Sequence, residues 1–113
     1  MKLKLQAAAV LIGISLSYQD AHAGSFFLSG NDLYTYINGD NAYDKGSALG
    51  FVVGIADGEE SQKHPRICIS DRVTRGQVRD VVKKYLTEHP EQRHFTAASL
   101  VIESLMDAFP CQK

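Results

Sequence analysis

Two cysteines, Cys68 and Cys111, are the only ones in the chain, and two helical patterns with their own start and stop signals lie between them. The first pattern opens on Val73-Thr-Arg-Gly-Gln-Val78. That string fits a capping box, with Thr74 at the N-cap, Gln77 three residues later, and Val73 and Val78 placed as a hydrophobic staple. Val78, Val81, Val82, Tyr85 and Leu86 then repeat at helical spacing, with Arg79, Asp80, Lys83 and Lys84 on the other side. Pro90 stops the pattern near His89, because the residue before a proline is pushed out of the helical region. The second pattern repeats the device: Phe95 precedes Thr96 as N-cap, and Leu100 takes the position that a staple partner needs. Ala97, Leu100, Val101, Leu105, Ala108 and Phe109 share one face, and Pro110 ends the helix just before Cys111. Two such helices joined by a short turn form an antiparallel hairpin. If the two sulfurs pair, they clip the start of one helix to the end of the next.

Pairing needs an oxidising compartment, and the N-terminus argues for one. Met1-Lys-Leu-Lys4 is a short positive start, Ala7 to Leu16 is apolar or small throughout, and Ala21-His-Ala23 precedes Gly24. This is the layout of a secretory signal peptide. Its apolar run is too short to cross a bilayer, which takes about twenty residues. The cysteine that lipid attachment would need is absent from the cleavage site. The reading is therefore a leader over 1–23 and a mature, soluble, exported domain over 24–113, with no membrane attachment after cleavage.

A mature chain of about 90 residues makes one domain whose core buries only about two-thirds of the unfolded surface, so a covalent staple is expected. Removing Lys2, Lys4 and Asp20 with the leader from 12 basic and 13 acidic side chains leaves 10 and 12. That near-neutral balance argues against nucleic acid, which selects a basic stripe.

Upstream of the hairpin, Ser29-Gly-Asn-Asp offers N-cap residues before Leu33, Tyr34, Tyr36 and Ile37, and a short helix is expected over about 31–38. Asn38-Gly-Asp-Asn41 turns the chain into a second helix over about 42–57. In that helix Gly46, Gly50, Gly54 and Gly58 recur every four residues and form one narrow stripe. An interior glycine costs a helix about 0.5–1 kcal/mol against alanine. A stripe of them implies that another backbone comes very close, either a neighbouring helix of the same chain or the partner in a homodimer. Leu49, Phe51, Val52, Val53 and Ile55 leave this helix little polar surface, so it is expected to be the central and most buried one. No G-K-[ST] follows the glycines, so they are not a phosphate loop.

The stretch Asp57-Gly-Glu-Glu-Ser-Gln-Lys-His-Pro65 reads as a polar connection. Asp57, Glu59, Glu60, Lys63 and His64 are its candidate partner-binding residues, since exposed connections on a rigid scaffold commonly carry recognition. No catalytic constellation is evident. Glu59 and Glu60 are adjacent and lack the separation that a pair of glycosidase carboxylates needs. His64, His89 and His94 lack the spacing of a zinc site, and a bridged cysteine offers no thiolate nucleophile. The expectation is a protein with no catalytic residues, no metal and no cofactor.

The segments Gly50-Phe-x-x-Gly-x-x-Asp57, Cys68, Val73-Thr-x-x-Gln-Val78, Val81-Val-x-x-Tyr-Leu-x-x-His-Pro-Glu-x-Arg93 and Ala108-Phe-Pro-Cys111 together resemble the Rap1a/Tai family of type VI secretion immunity proteins. The resemblance spans roughly residues 46–111. It implies an all-α, periplasmic, compact four-helix domain with Cys68 and Cys111 as its disulfide. It also implies a partner, a secreted peptidoglycan amidase toxin that the protein binds and occludes, and in several relatives a homodimer. The residues alone leave a second class open, a periplasmic acid-stress chaperone of the HdeA kind, which exposes apolar surface when its carboxylates are protonated.

Overall fold

The structure, a computed structural model, describes residues 27–112; the leader read over 1–23 lies outside them. Four α-helices follow one another: α1 (Gly30–Ile37), α2 (Ala42–Glu60), α3 (Arg75–Glu88) and α4 (Ala97–Ala108), with a single 3-10 turn at Pro90–Gln92 between the last two. Among the described residues the extended backbone amounts to two isolated antiparallel bridges, Ser29 with Thr96 and Ile67 with Pro110. The fold is all-α, as the sequence patterns require.

Each helix begins where a short polar side chain can accept from the orphan N–H groups of the first turn. Ser29 accepts from Asp32 N–H while the Asp32 carboxylate takes the Ser29 N–H at 2.8 Å, which completes a capping box at α1. Asn41 caps α2 by accepting the Asp44 N–H at 2.8 Å. At α3 the expected box is present: Thr74 N–H donates to Gln77 Oε1 at 2.7 Å and Gln77 N–H to Thr74 Oγ1 at 3.2 Å. α4 differs, because Thr96 occupies the N-cap position without a side-chain cap bond. There the Ala97 N–H instead donates to the Leu28 carbonyl at 2.9 Å, so the approaching N-terminal segment does the work of the cap.

The core is built from one stripe of each helix. Leu33 and Ile37 of α1, Ala48, Val52 and Ala56 of α2, Val78, Val82 and Leu86 of α3, and Leu100, Val101 and Leu105 of α4 are buried together with Ile67. Burying a leucine or valine of this set stabilises the fold by about 1.5–3 kcal/mol. The Cys68–Cys111 disulfide is formed, with Cα atoms 4.9 Å apart, and joins residues 43 positions apart in sequence. Beside it the Cys68 N–H donates to the Phe109 carbonyl at 2.9 Å.

Three expectations need correction. α2 runs three residues past Asp57, to Glu60, because Glu59 and Glu60 find partners described below. α2 also touches all three other helices, yet it is not enclosed: Gly46, Gly50 and Gly54 lie exposed on its outer side, and Tyr43 is 75% exposed. Finally, Phe95 does not serve as a buried staple for α4, for it is 51% exposed, and Ala108 is exposed as well.

Candidate functional site

The five residues read as a binding loop are divided by the fold. Glu59 and Glu60 belong to the last turn of α2. Glu59 makes a two-pronged pair with Arg66, Nη2 to Oε1 at 2.7 Å and Nε to Oε2 at 3.1 Å. Its own side chain is only 15% exposed. Glu60 accepts the Ile69 N–H at 2.7 Å. Both carboxylates thus tie the end of α2 to the segment that carries Cys68, using the planar fork that arginine offers a carboxylate and a charge-assisted backbone bond. Asp57 lines a shallow depression with Ile69, Asp71 and Arg75, whereas Lys63 and His64 border a separate one with Met106, Pro110 and Cys111. Of the polar stretch only Ser61 to Pro65 lies outside α2, and it does not gather the five side chains into one site.

The glycine stripe is equally informative. A Cβ placed on Gly46, Gly50, Gly54 or Gly58 meets nothing within 4 Å. Close packing by a neighbouring helix of the same chain is therefore not the reason for these glycines. A close approach of backbone occurs elsewhere, at Gly30. A Cβ there would lie 2.8 Å from the Arg93 carbonyl oxygen and 2.9 Å from its Cα, and closer still to Leu100 Cδ1.

Gly30 marks a corner that the sequence patterns did not single out, where the first turn of α1 lies against the α3–α4 connection. The Gly30 N–H donates to the Phe95 carbonyl and the Asn31 N–H to the Arg93 carbonyl, both at 2.8 Å. On the other flank Arg93 Nε donates to the Leu86 carbonyl at 2.7 Å, and its guanidinium covers the Tyr34 ring. Within the connection Gln92 N–H donates to His89 O, and Phe95 N–H to Gln92 O. The Tyr85 hydroxyl sits 2.7 Å from Gln92 Oε1 and 3.1 Å from Glu103 Oε2. Burial and then the hydrogen bond to the Glu103 carboxylate push the Tyr85 pKa up to about 12, so that the phenol is kept as a neutral donor. Glu91 is held below the usual carboxylate range by its own backbone N–H and by His89, whose Nδ1 lies 3.0 Å away.

On this fixed backbone two side chains stand out into solvent. His94 and Phe95 are both exposed, and their rings pack against each other with centroids 4.1 Å apart at a tilt of 37°. The available signal in the sequence was a large aromatic in a short polar connection. The staple position of Phe95 absorbed it.

Among the described residues no group of three His, Cys, Asp or Glu side chains is placed to hold a metal ion, and no helix is long and apolar enough to cross a membrane. The surfaces offer exposed aromatic, apolar and charged groups, which is the chemistry of recognition by contact.

A comparison with protein-family models matches residues 29–111 to the Rap1a immunity proteins, a span that takes in all four helices and both cysteines. No curated protein matches the chain significantly. With the capped hairpin, the disulfide and the four-helix core all inside the matched span, the chain belongs to the Rap1a immunity protein family.

Proposed function

We propose that this protein is a periplasmic immunity protein that binds a peptidoglycan amidase effector of a type VI secretion system and inhibits it by occupying its surface, with no chemistry of its own. The observation that carries this reading is the family match, which spans nearly the whole described domain. The leader pattern over 1–23 and the disulfide support action in an oxidising envelope compartment. A disulfide-stapled four-helix scaffold loses little conformational entropy on binding. A small rigid surface of this kind can therefore reach high affinity.

The binding test uses a peptidoglycan amidase effector of a type VI secretion system, in a catalytically inactive form, with the oxidised mature protein; a secreted cell-wall hydrolase gene found directly beside this one would name the amidase to use. A tight one-to-one complex is expected, together with loss of peptidoglycan hydrolysis when the active amidase is mixed with an equal amount of this protein. Undiminished hydrolysis in a large excess of the protein would overturn the reading.

The same reading includes a homodimer on the outer face of α2. Tyr43, Gly46, Leu49, Gly50, Val53 and Gly54 fall on that side and leave it apolar up to Asp57, the exposed charged residue one turn further along the same line. An exposed apolar helix face is ordinarily covered by something, and the three interior glycines at 46, 50 and 54 together cost α2 roughly 1.5–3 kcal/mol that no intrachain contact offsets. Two copies related by a two-fold axis would cover this face with itself, because such an interface is self-complementary.

A further inference from the structure

We infer that the α3–α4 corner is a pre-formed docking edge for the toxin, with the exposed ring of Phe95 as its anchor and His94 stacked beside it. The inference rests on the immunity reading above and adds the surface that carries it.

Four large apolar side chains are exposed among the described residues: Phe27, Tyr43, Phe95 and Met106. Tyr43 belongs to the α2 face, which is assigned to a second copy. Phe27 stands at the edge of the described chain. Met106 has an unbranched, flexible side chain, which must be ordered when it is buried by a partner. Phe95 differs from all three. Its N–H donates to the Gln92 carbonyl at 3.0 Å and its own carbonyl accepts the Gly30 N–H at 2.8 Å, so its backbone is fixed on both sides. The next residue, Thr96, is bridged to Ser29, and the Ala97 N–H is held by Leu28.

An aromatic with two side-chain torsions on an immobile backbone loses little entropy on burial and gains a large area, and so aromatic side chains dominate the energetics of interfaces. The stacked imidazole of His94 narrows the freedom of the ring further. Exposed Glu91 in the same connection and exposed Asn31 across the bridge supply the polar surroundings that flank such an anchor. An acidic group beside a neutral amide does not suit an anionic lipid surface, which selects clustered lysine and arginine. It does suit a protein partner with an apolar pocket and a polar rim.

The experiment measures affinity for the same inactive type VI amidase effector by titration calorimetry and dissociation rate by surface-based kinetics, with the oxidised mature protein. Phe95→Ala is expected to weaken binding about 30-fold or more, the range of an interface hot spot. Most of the change should appear in the dissociation rate. Phe95→Tyr, which keeps the ring, is expected to bind within a few-fold of wild type, and Met106→Ala is expected to leave affinity unchanged. Thermal unfolding of Phe95→Ala within a degree or two of wild type separates lost contact from lost fold. If wild type binds tightly and a folded Phe95→Ala binds equally well, the docking edge is elsewhere and the inference is overturned while the immunity reading stands. If wild type itself does not bind, the immunity reading falls first and the docking edge with it.

Discussion

Arg93 lies over the ring of Tyr34 with its guanidinium carbon 3.6 Å from the ring centroid, while its Nε donates to the Leu86 carbonyl at 2.7 Å. One side chain thereby joins α1, the end of α3 and the connection to α4. A cation over a half-exposed ring contributes about 0.5–1 kcal/mol, and a hydrogen bond from a charged donor about 1.5–3 kcal/mol. Arg93→Ala is expected to lower stability by about 2–3 kcal/mol in urea unfolding with the disulfide intact. Arg93→Lys should recover less than half of that, because an ammonium cannot both stack flat on the ring and donate from a planar fork. Equal stability of the lysine variant and wild type would show that charge alone matters here.

Glycine substitutions should divide by position. Gly30→Ala drives a methyl into the Arg93 backbone and the Leu100 side chain. The backbone cannot give way and Leu100 is held in the packed core, so a loss of about 1–3 kcal/mol, typical of overpacking, is expected. Gly58→Ala meets nothing within 4 Å and should raise stability by about 0.5–1 kcal/mol through helix propensity alone. Thermal unfolding of the two variants side by side checks both signs.

The pH dependence has a defined direction at each end. Asp32 is held below its ordinary value of 3.8 by the backbone N–H of Ser29 and then by the Ser29 hydroxyl. Its folded-state pKa is depressed, so its contribution is complete above the unfolded pKa and is lost as pH falls through the folded one. Stability should therefore decline below about pH 4, and Asp32→Asn should flatten part of that acid limb. Tyr85, with its pKa raised to about 12 from 10.0, prefers the neutral form in the fold. Stability should hold up to about pH 10 and decline between 10 and 12, and Tyr85→Phe should remove that part of the alkaline limb. Unfolding curves across both ranges measure the slopes.

The disulfide closes a long loop. In the chain-entropy account a separation of 43 residues corresponds to about 4 kcal/mol. The double variant Cys68→Ala with Cys111→Ala is expected to lose about 2–4 kcal/mol. It should remain helical, since the backbone bond from Cys68 N–H to Phe109 O and the bond from Ile69 N–H to Glu60 still hold the segment. Glu60→Ala in the disulfide-bonded protein should cost about 1–2 kcal/mol, because it leaves the Ile69 amide without its charged acceptor. Denaturant midpoints under oxidising conditions decide between the two contributions.

The helices were legible in the sequence because their signals are local. Thr74 and Gln77 form the box that their spacing announced, and Val78, Val82 and Leu86 are buried as their period requires. The disulfide was legible because the chain offers no other cysteine. What was not legible depends on pairs distant in sequence. Glu59 and Glu60 looked free until Arg66 and the Ile69 amide came to meet them, which also lengthened α2. Phe95 looked like a staple because Thr96 and Leu100 follow it, but Leu28 takes over the capping of α4 and leaves the ring outside. The glycines of α2 drew attention by their regular spacing, whereas the glycine that another backbone approaches closely is the isolated Gly30.

The outer face of α2 provides the sharpest test of the proposed homodimer, because one substitution has opposite signs in the two cases. In a monomer Gly50 is exposed in open space. Gly50→Leu would then strengthen α2 by about 0.5–1 kcal/mol through helix propensity and change nothing else. In a dimer whose α2 helices approach along the glycine face, the same leucine would hold the two backbones apart and sacrifice the close packing that small residues permit. Sedimentation of the wild type at tens of micromolar is expected to give the dimer mass, and Gly50→Leu the monomer mass with an unchanged helical spectrum. Tyr43→Ala, which removes an aromatic that is 75% exposed in the single chain, should weaken the dimer and leave the stability of the dissociated chain within about 0.5 kcal/mol, as for an ordinary surface position. A wild type that sediments as a monomer, with Gly50→Leu simply more stable, would mean that α2 carries its glycines for some reason other than a second copy.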